Sequence, residues 1–504
     1  MENFDVLIIG AGISGIGSAY HLQDKCPGKT YAILESRDAV GGTWDLFRYP
    51  GVRSDSDMYT LGFSFKPWCD DKSIALGDTI LDYVREAATE NNIVQHIRFG
   101  HRMQSADWDS NSQRWTVTTE HNGETVQLSC TMLLMCSGYY NYDEPHAPQF
   151  AGQESFAGTL VHPQHWPTDL DYQGKRVIVI GSGATAMTLV PAMAEQAEHV
   201  TMVQRSPTYV VSRPDKDKIA ITLRKYLPDA TAYALTRMKN VALQRFFYGR
   251  SRKAPERIKK LLLSGVRQAL GPDYDIDTHF TPRYNPWDQR LCLIPNADLF
   301  KSIRAGKTEV RTGDIECMTP SGLKLCGDDE ELPADIIVTA TGLSLLLLGG
   351  ATFSVDGEAI DFTETFTYKG MMYADVPNLV QTFGYVNASW TLRADLTAEY
   401  ACRLINRMDK LGVQQVTPQL RATDQSMQVR PWIDDFTPSY MQRVMHLFPK
   451  QGDDDPWRNT QNYALDKRLI RKAPLEDGAL RFGATTLRPG AAARLQQQGL
   501  ASAA

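Results

Sequence analysis

Two short glycine-rich stretches carry the chemistry that can be read most directly from this chain. The first, Gly10-Ala11-Gly12-Ile13-Ser14-Gly15, follows the apolar run Asp5-Val6-Leu7-Ile8-Ile9 and opens a segment to Leu22 with helical apolar spacing. In such a strand-to-helix turn, Gly10 permits the tight bend and Gly12 lets a pyrophosphate approach the backbone. Gly15 lets helix and strand pack closely, and the helix N-terminus faces the phosphates. Glu35 closes the next strand candidate, Tyr31-Ala32-Ile33-Leu34, at the place where a carboxylate accepts the 2'-hydroxyl of an unphosphorylated ribose. A bare GxGxxG is weak evidence; strand, helix and acid in the right order make it a site for FAD or NAD. The second stretch, Gly181-Ser182-Gly183-Ala184-Thr185-Ala186, repeats the grammar after Arg176-Val177-Ile178-Val179-Ile180. Its following strand, Val200 to Val203, ends in Gln204-Arg205-Ser206 with no acid, and Arg205 stands where a guanidinium meets a 2'-phosphate. One ribose site without phosphate and one with it imply FAD plus NADPH, the pair used by flavoprotein oxidoreductases.

The elements that must position these residues form an α/β chain with two Rossmann-like dinucleotide-binding domains, one for FAD and one for NADPH. Between Pro214 and Asp273 the strand signal gives way to apolar residues at helical spacing among many Lys and Arg, which predicts a helical insertion in the NADPH domain. Sheet pattern returns at Ile336-Ile337-Val338. The expected order is a FAD-binding part at 1–145, an NADPH-binding part at 146–212 and the helical insertion at 213–283. A second NADPH-binding part at 284–375, a second FAD-binding part at 376–490 and a flexible tail at 491–504 complete it.

The 504 residues are 42% hydrophobic and 22% charged, an ordinary globular balance that excludes a disordered or fibrous chain. A net charge of -6 gives no general attraction for nucleic acid or anionic membranes. The eight cysteines contain no CxxC, which argues against a bound metal cluster and against the redox dithiol of disulfide reductases. No apolar run reaches the ~20 residues of a membrane span, and the opening Met1-Glu2-Asn3-Phe4-Asp5 lacks the basic flank of a signal peptide. The expectation is a cytoplasmic enzyme acting on a small molecule.

The segment between the two glycine motifs narrows the reading. Phe156-Ala157-Gly158-Thr159-Leu160-Val161-His162-Pro163-Gln164-His165-Trp166-Pro167 fits FxGxxxHxxxWP, and the chain thereby resembles the Baeyer–Villiger flavin monooxygenases, class B flavoprotein monooxygenases. Simpler flavin-containing N- and S-monooxygenases share the Phe-Gly-His part and usually lack Trp-Pro at its end. The stretches Arg48 to Gly62, Cys136 to Asp143 and Tyr284 to Cys292, with the turn Ala340-Thr341-Gly342, resemble most the ethionamide-activating type, a bacterial branch. The resemblance implies that Phe156, Gly158, His162, Trp166 and Pro167 form a domain-junction element that couples domain movement to turnover and transfers no proton. It also implies that Gly42, Thr43, Trp44, Asp45 and Leu46 line the FAD, and that Arg53, Ser54 and Asp55 lie where flavin and nicotinamide meet. Met103 matches a position contacting the adenine end through the main chain, although plain side-chain packing explains it equally well.

The resemblance further implies a reaction. NADPH would reduce FAD, and O2 would then give a C4a-peroxyflavin that adds to a ketone carbonyl and leaves an ester or lactone; protonated, it would oxygenate a sulfide or amine. Negative charge develops on oxygen along the ketone route, so a fixed cation should lower the barrier. Arg290 matches the family's active-site arginine, and Asp55 would pair with it. Many family members have Lys before that arginine where this chain has Gln289, which places more of the 2'-phosphate recognition on Arg205 and Ser206. NADP+ would stay bound through turnover. Apolar and aromatic residues at 343–350 and from Phe383 to Trp390 point to a fairly hydrophobic ketone or sulfide. The competing reading is an enzyme acting mainly on sulfur or nitrogen, with little ketone activity.

Overall fold

The computed structural model describes residues 1–434 and 438–487; the tail expected at 491–504 lies outside them. The chain forms two compact units. Met1–Thr43, Asp82–Tyr140 and the chain from Leu345 onward make the first; Trp44–Leu81 and Asn141–Ser344 make the second. Residues 44–81, expected in the first FAD-binding part, thus cluster with the second unit, and residues 345–375, expected in the second NADPH-binding part, cluster with the first.

In the first unit the strand Glu2–Ile9 pairs in parallel with Tyr31–Leu34 on one side and with Glu124–Met135 on the other. Leu379–Gln381 adds in parallel to the far end of Glu124–Met135. The near end of that strand instead pairs antiparallel with Arg114–His121, which pairs antiparallel with Arg102–Asp109. The parallel segments 6–9, Tyr31–Leu34 and 133–135 are apolar and buried (Leu7, Ile8 and Ile33 are fully covered), as expected where both faces are packed. Arg114–His121 alternates buried and half-buried residues, the period of a strand with one covered face. Trp108 and Trp115, fully buried and edge to face at 5.5 Å, fill the core beneath it. The helix Ile13–Lys25 packs along the long helix Trp390–Leu411, with His21 Nε2 3.2 Å from Asp395 Oδ1.

The second unit is built on a five-stranded, wholly parallel sheet ordered Thr308–Thr312, His199–Gln204, Arg176–Ile180, Ile336–Thr339, Thr159–Val161. Its helix Ala184–Met193 buries Met187, Leu189, Val190 and Met193 against this sheet. The expected helical insertion is present as Lys218–Tyr226, Asp229–Lys253, Pro255–Leu270 and Ile276–His279. The chain leaves along the strand Val210–Arg213 and returns along Cys292–Pro295, which pairs with it in parallel. That two-stranded stem fixes where Arg290, two residues before the returning strand, is held.

Candidate functional site

Gly10 has φ 104°, and a Cβ there would lie 2.7 Å from the Cys136 carbonyl oxygen; a Cβ on Gly15 would lie 1.8 Å from the Gly10 carbonyl oxygen. Both glycines are therefore dictated by the chain's own packing. Gly12 is different: the nearest atom to an added Cβ is the Gly42 Cα, at an ordinary 3.6 Å. The helix that begins at Ile13 has no side-chain cap and no acid in its first turn, so its amides stay available to an anion. Glu35 is buried beneath this loop, accepting the Ala11 amide at 2.7 Å and the Arg37 amide at 2.9 Å. Burial pushes its carboxyl up against those hydrogen bonds, which hold it down. Ser14 Oγ accepts the Trp390 indole N–H at 2.7 Å, leaving its own proton to donate. Met103 sits with its side chain inside the apolar core of the first unit. These features fit a dinucleotide: a cradle that a Cβ would fill, free amides and a buried acid at its rim.

In the second unit Gly181 has φ 139° and would set a Cβ 2.3 Å from the Ala340 carbonyl oxygen, so the Ala340-Thr341-Gly342 turn packs directly under the motif. Around Gly183 nothing lies within 4 Å of an added Cβ. Gly183 and Ala184 are exposed, and the helix that starts there again has neither cap nor acid. Ala186 takes the third position fully buried. Ser182 Oγ donates to the Ser206 carbonyl at 3.0 Å and meets Thr208 Oγ1 at 3.1 Å, fixing the loop that carries Arg205 and Ser206. Both residues are exposed, and among the described residues Arg205 forms no ion pair. An open helix N-terminus beside an unspent guanidinium fits a phosphorylated ribose and pyrophosphate.

The loop 48–55, rich in glycine and proline, packs on this same helix. Tyr49 hydrogen-bonds Thr185, and burial pushes its phenol up to about 12. Gly51, φ 73°, would place a Cβ 2.6 Å from the Ala192 Cβ. Arg53 is spent on Asp298, 2.5 Å away, and on the Met187 carbonyl at 3.2 Å. Ser54, buried, accepts the Ala75 amide at 3.3 Å. Earlier in the same segment Asp45 is buried and accepts from Arg48 at 2.8 Å, while Trp44 and Leu46 are half-buried on the short helix Thr43–Leu46. Arg53 and Ser54 therefore clamp the loop, and the residue they deliver is Asp55.

Asp55 Oδ2 lies 2.9 Å from Arg290 Nη2, so the two residues assigned to catalysis meet. Each side chain stays about one-third exposed, and an ion pair so open is worth under ~1 kcal/mol of stability. Arg290 follows a tight turn in which Asp288 accepts the Asn285 amide at 3.0 Å and Arg252 at 2.7 Å. Trp287 adopts φ 73°, a strained value for a bulky residue, with its ring edge to face on Tyr248 at 5.5 Å. Arg252 and Tyr248 both belong to the helix Asp229–Lys253, so the insertion braces the arginine turn. Cys292, buried beside the pair, is pushed up to about 12 by burial, with Asp55 adding and Arg290 opposing; it remains a neutral thiol. The sequence assigns no role to Asp288, Arg252 or Trp287; the stretch Tyr284 to Cys292 and its Asn285-Pro286 turn signal are the hints of the first and the last.

The FxGxxxHxxxWP segment closes the second unit's sheet edge. A Cβ on Gly158 would lie 2.4 Å from the Asp335 carbonyl oxygen, while Phe156 and Trp166 pack on the unit's apolar clusters and Pro167 is exposed. His162 Nδ1 accepts the Gln164 amide at 3.2 Å, and burial pushes the imidazole down to about 4, so it is neutral at physiological pH. Gln164, buried, donates at 2.9 Å to the carbonyls of Asn141 and Tyr142, the first two residues of the unit after the chain enters it.

A family model described as FMO-like, flavin-binding monooxygenase-like, matches residues 4–224. The FAD-containing monooxygenase EthA of Mycobacterium tuberculosis is 54% identical over 482 residues, covering 95% of this chain and 98% of that protein. Among solved structures, an oxidized steroid monooxygenase bound to NADP superposes with a TM-score of 0.77 at 22% identity, covering 96% of this chain and all of that one. The OTEMO complex with FAD and NADP gives a TM-score of 0.74 at 21% identity, covering 95% and 99%. At that identity the structures speak for the two-dinucleotide architecture; the extent and closeness of the match to EthA speak for descent. The chain belongs to the flavin-dependent monooxygenases, in the branch that contains EthA.

Proposed function

We propose that this protein is an NADPH- and O2-dependent Baeyer–Villiger monooxygenase that inserts one oxygen atom beside a ketone carbonyl, giving an ester or lactone, and that also oxygenates the sulfur of organic sulfides and thioamides. The Arg290–Asp55 pair carries the reading. When bound, FAD accepts a hydride from NADPH and converts O2 into the oxygen donor. The first unit would hold FAD through Gly10, Gly12, Gly15 and Glu35; the second would hold NADPH through Gly181, Gly183, Arg205 and Ser206. Arg290 supplies permanent positive charge where negative charge develops on oxygen, and Asp55 fixes the guanidinium in one orientation. An arginine suits this task because it stays charged at any pH the protein survives. The substrate would be a small hydrophobic ketone or sulfide, and the setting the cytoplasm.

The test is product analysis under isotopic O2 with a hydrophobic ketone and, separately, an aryl alkyl sulfide. Ester carrying one labelled oxygen per NADPH consumed is the expected result. Arg290→Ala should slow ester formation by roughly 10²- to 10³-fold while flavin content is unchanged, and should slow sulfoxide formation far less. Sulfoxide without any ester from the wild-type protein would replace this reading with that of an S-oxygenase.

A further inference from the structure

The helix Asp229–Lys253 leaves several large apolar side chains in water. Polar residues of its first half face the protein: Tyr233 OH donates to the Phe63 carbonyl at 2.9 Å, Arg237 to the carbonyls of Tyr59 and Gly62 at 2.9 and 2.8 Å, and Asn240 to Asp57 at 2.8 Å. Four of its large apolar residues face water, while Phe247 packs on the cluster of Tyr209, Ile258 and Leu262. Leu235, Met238 and Phe246, on one helical face at successive intervals of three and eight positions, are 38%, 65% and 66% exposed, with Leu243 beside them at 56%. Ile219 and Tyr226, two turns apart on the preceding helix, are 55% and 81% exposed. Large apolar side chains held outward in a stripe are disfavoured by water, and such a stripe marks a place where something sits.

The charges say what. Asp229, at the first residue, is the sole acid on the helix, whereas Arg245, Arg250 and Lys253 flank the stripe and form no ion pair among the described residues. The whole chain carries a net charge of -6, so this face opposes the average of the molecule. A second copy docked by the same face would bring these cations against themselves. An anionic lipid surface would neutralise them while taking up the apolar side chains to a shallow depth. Among the described residues no helix is long and apolar enough to cross a membrane, so the contact would be peripheral. We propose that the face of helix Asp229–Lys253 carrying Leu235, Met238, Leu243 and Phe246 binds the surface of an anionic membrane. This stands independently of the substrate assigned above.

The experiment is co-sedimentation of the holoprotein with two kinds of vesicle: phosphatidylcholine alone, and phosphatidylcholine with about one part in four phosphatidylglycerol. Binding to the second kind, weakened by salt, is expected. Met238→Glu/Phe246→Glu should lose binding to the anionic vesicles while flavin content and NADPH oxidation in solution stay at wild-type values. Arg245→Gln/Arg250→Gln/Lys253→Gln should lower affinity for the anionic vesicles about 10- to 100-fold. Failure to bind the anionic vesicles, or equal binding to both kinds, would overturn the proposal. So would a wild-type dimer in sedimentation velocity that Met238→Glu/Phe246→Glu converts to monomer, since the occupant would then be a second copy.

Discussion

The two glycine motifs share a grammar and differ in how they are enclosed. In the first unit the acid at the strand end is buried and bonded to the motif's own backbone, and a third glycine is squeezed against the first. In the second the cationic side chain at the strand end is exposed, Gly183 faces open space, and an alanine fits the third position. The first site is thus finished by groups built into the core, as suits a cofactor that stays. The second is a rim of exposed groups, as would suit a coenzyme that stays through one turnover and exchanges before the next. The same sequence signal reports the turn; burial decides residence.

Three variants would break or sharpen that contrast. The largest effect is expected from Gly15→Val, whose side chain must occupy the position of the Gly10 carbonyl; the protein should purify colourless, as read from flavin absorbance, and retention of FAD would refute the packing account. Next comes Arg205→Gln. Losing a charge-assisted hydrogen bond to phosphate should raise the KM for NADPH roughly 10- to 100-fold, leave that for NADH nearly unchanged, and leave flavin content untouched. Steady-state kinetics with both coenzymes measure it, and equal shifts for the two would place the 2'-phosphate elsewhere.

The smallest effect concerns Glu35 in the protein stripped of flavin. Its folded-state pKa is raised by burial above the ordinary 4.5, so the folded chain holds the proton more tightly than the unfolded one. Stability from this group is therefore complete below the ordinary value and is lost as pH rises through the raised one. Melting temperatures of the apoprotein should show Glu35→Gln gaining on wild type as pH rises through that window. Arg205→Gln should follow the wild-type curve throughout. Parallel curves for all three would mean that Glu35 is not strained by its burial.

Much of this was legible in the sequence because it is local. A strand, a glycine turn and a helix are contiguous, so Gly10 to Glu35 and Gly181 to Arg205 could be read as units with their ligand chemistry attached. The pairing of Asp55 with Arg290 followed from resemblance and then from contact, since 235 positions separate them and no periodicity links them. What could not be read depends on which surfaces meet. Gly51 looks like a ligand-wrapping residue by type, yet its Cβ space is taken by Ala192. Arg53, expected where flavin and nicotinamide meet, also pairs with Asp298, a partner that no spacing announces. The outward apolar stripe of Asp229–Lys253 was hidden for a related reason: periodicity reveals that a helix has two faces and is silent about which one the protein keeps.

The interleaving of the two units has a consequence for how the molecule is made. Glu124–Met135 gains its parallel neighbour Leu379–Gln381 only after roughly 240 further residues are synthesised, which at about 5–20 residues per second takes on the order of 10–50 s. The second unit lacks only Trp44–Leu81 from outside its main segment, and that piece leaves the ribosome earlier. The half that would carry NADPH can therefore close while the half that would carry FAD still lacks an edge of its sheet. During that interval an apolar strand end stands open, and free flavin has an incomplete cradle to enter.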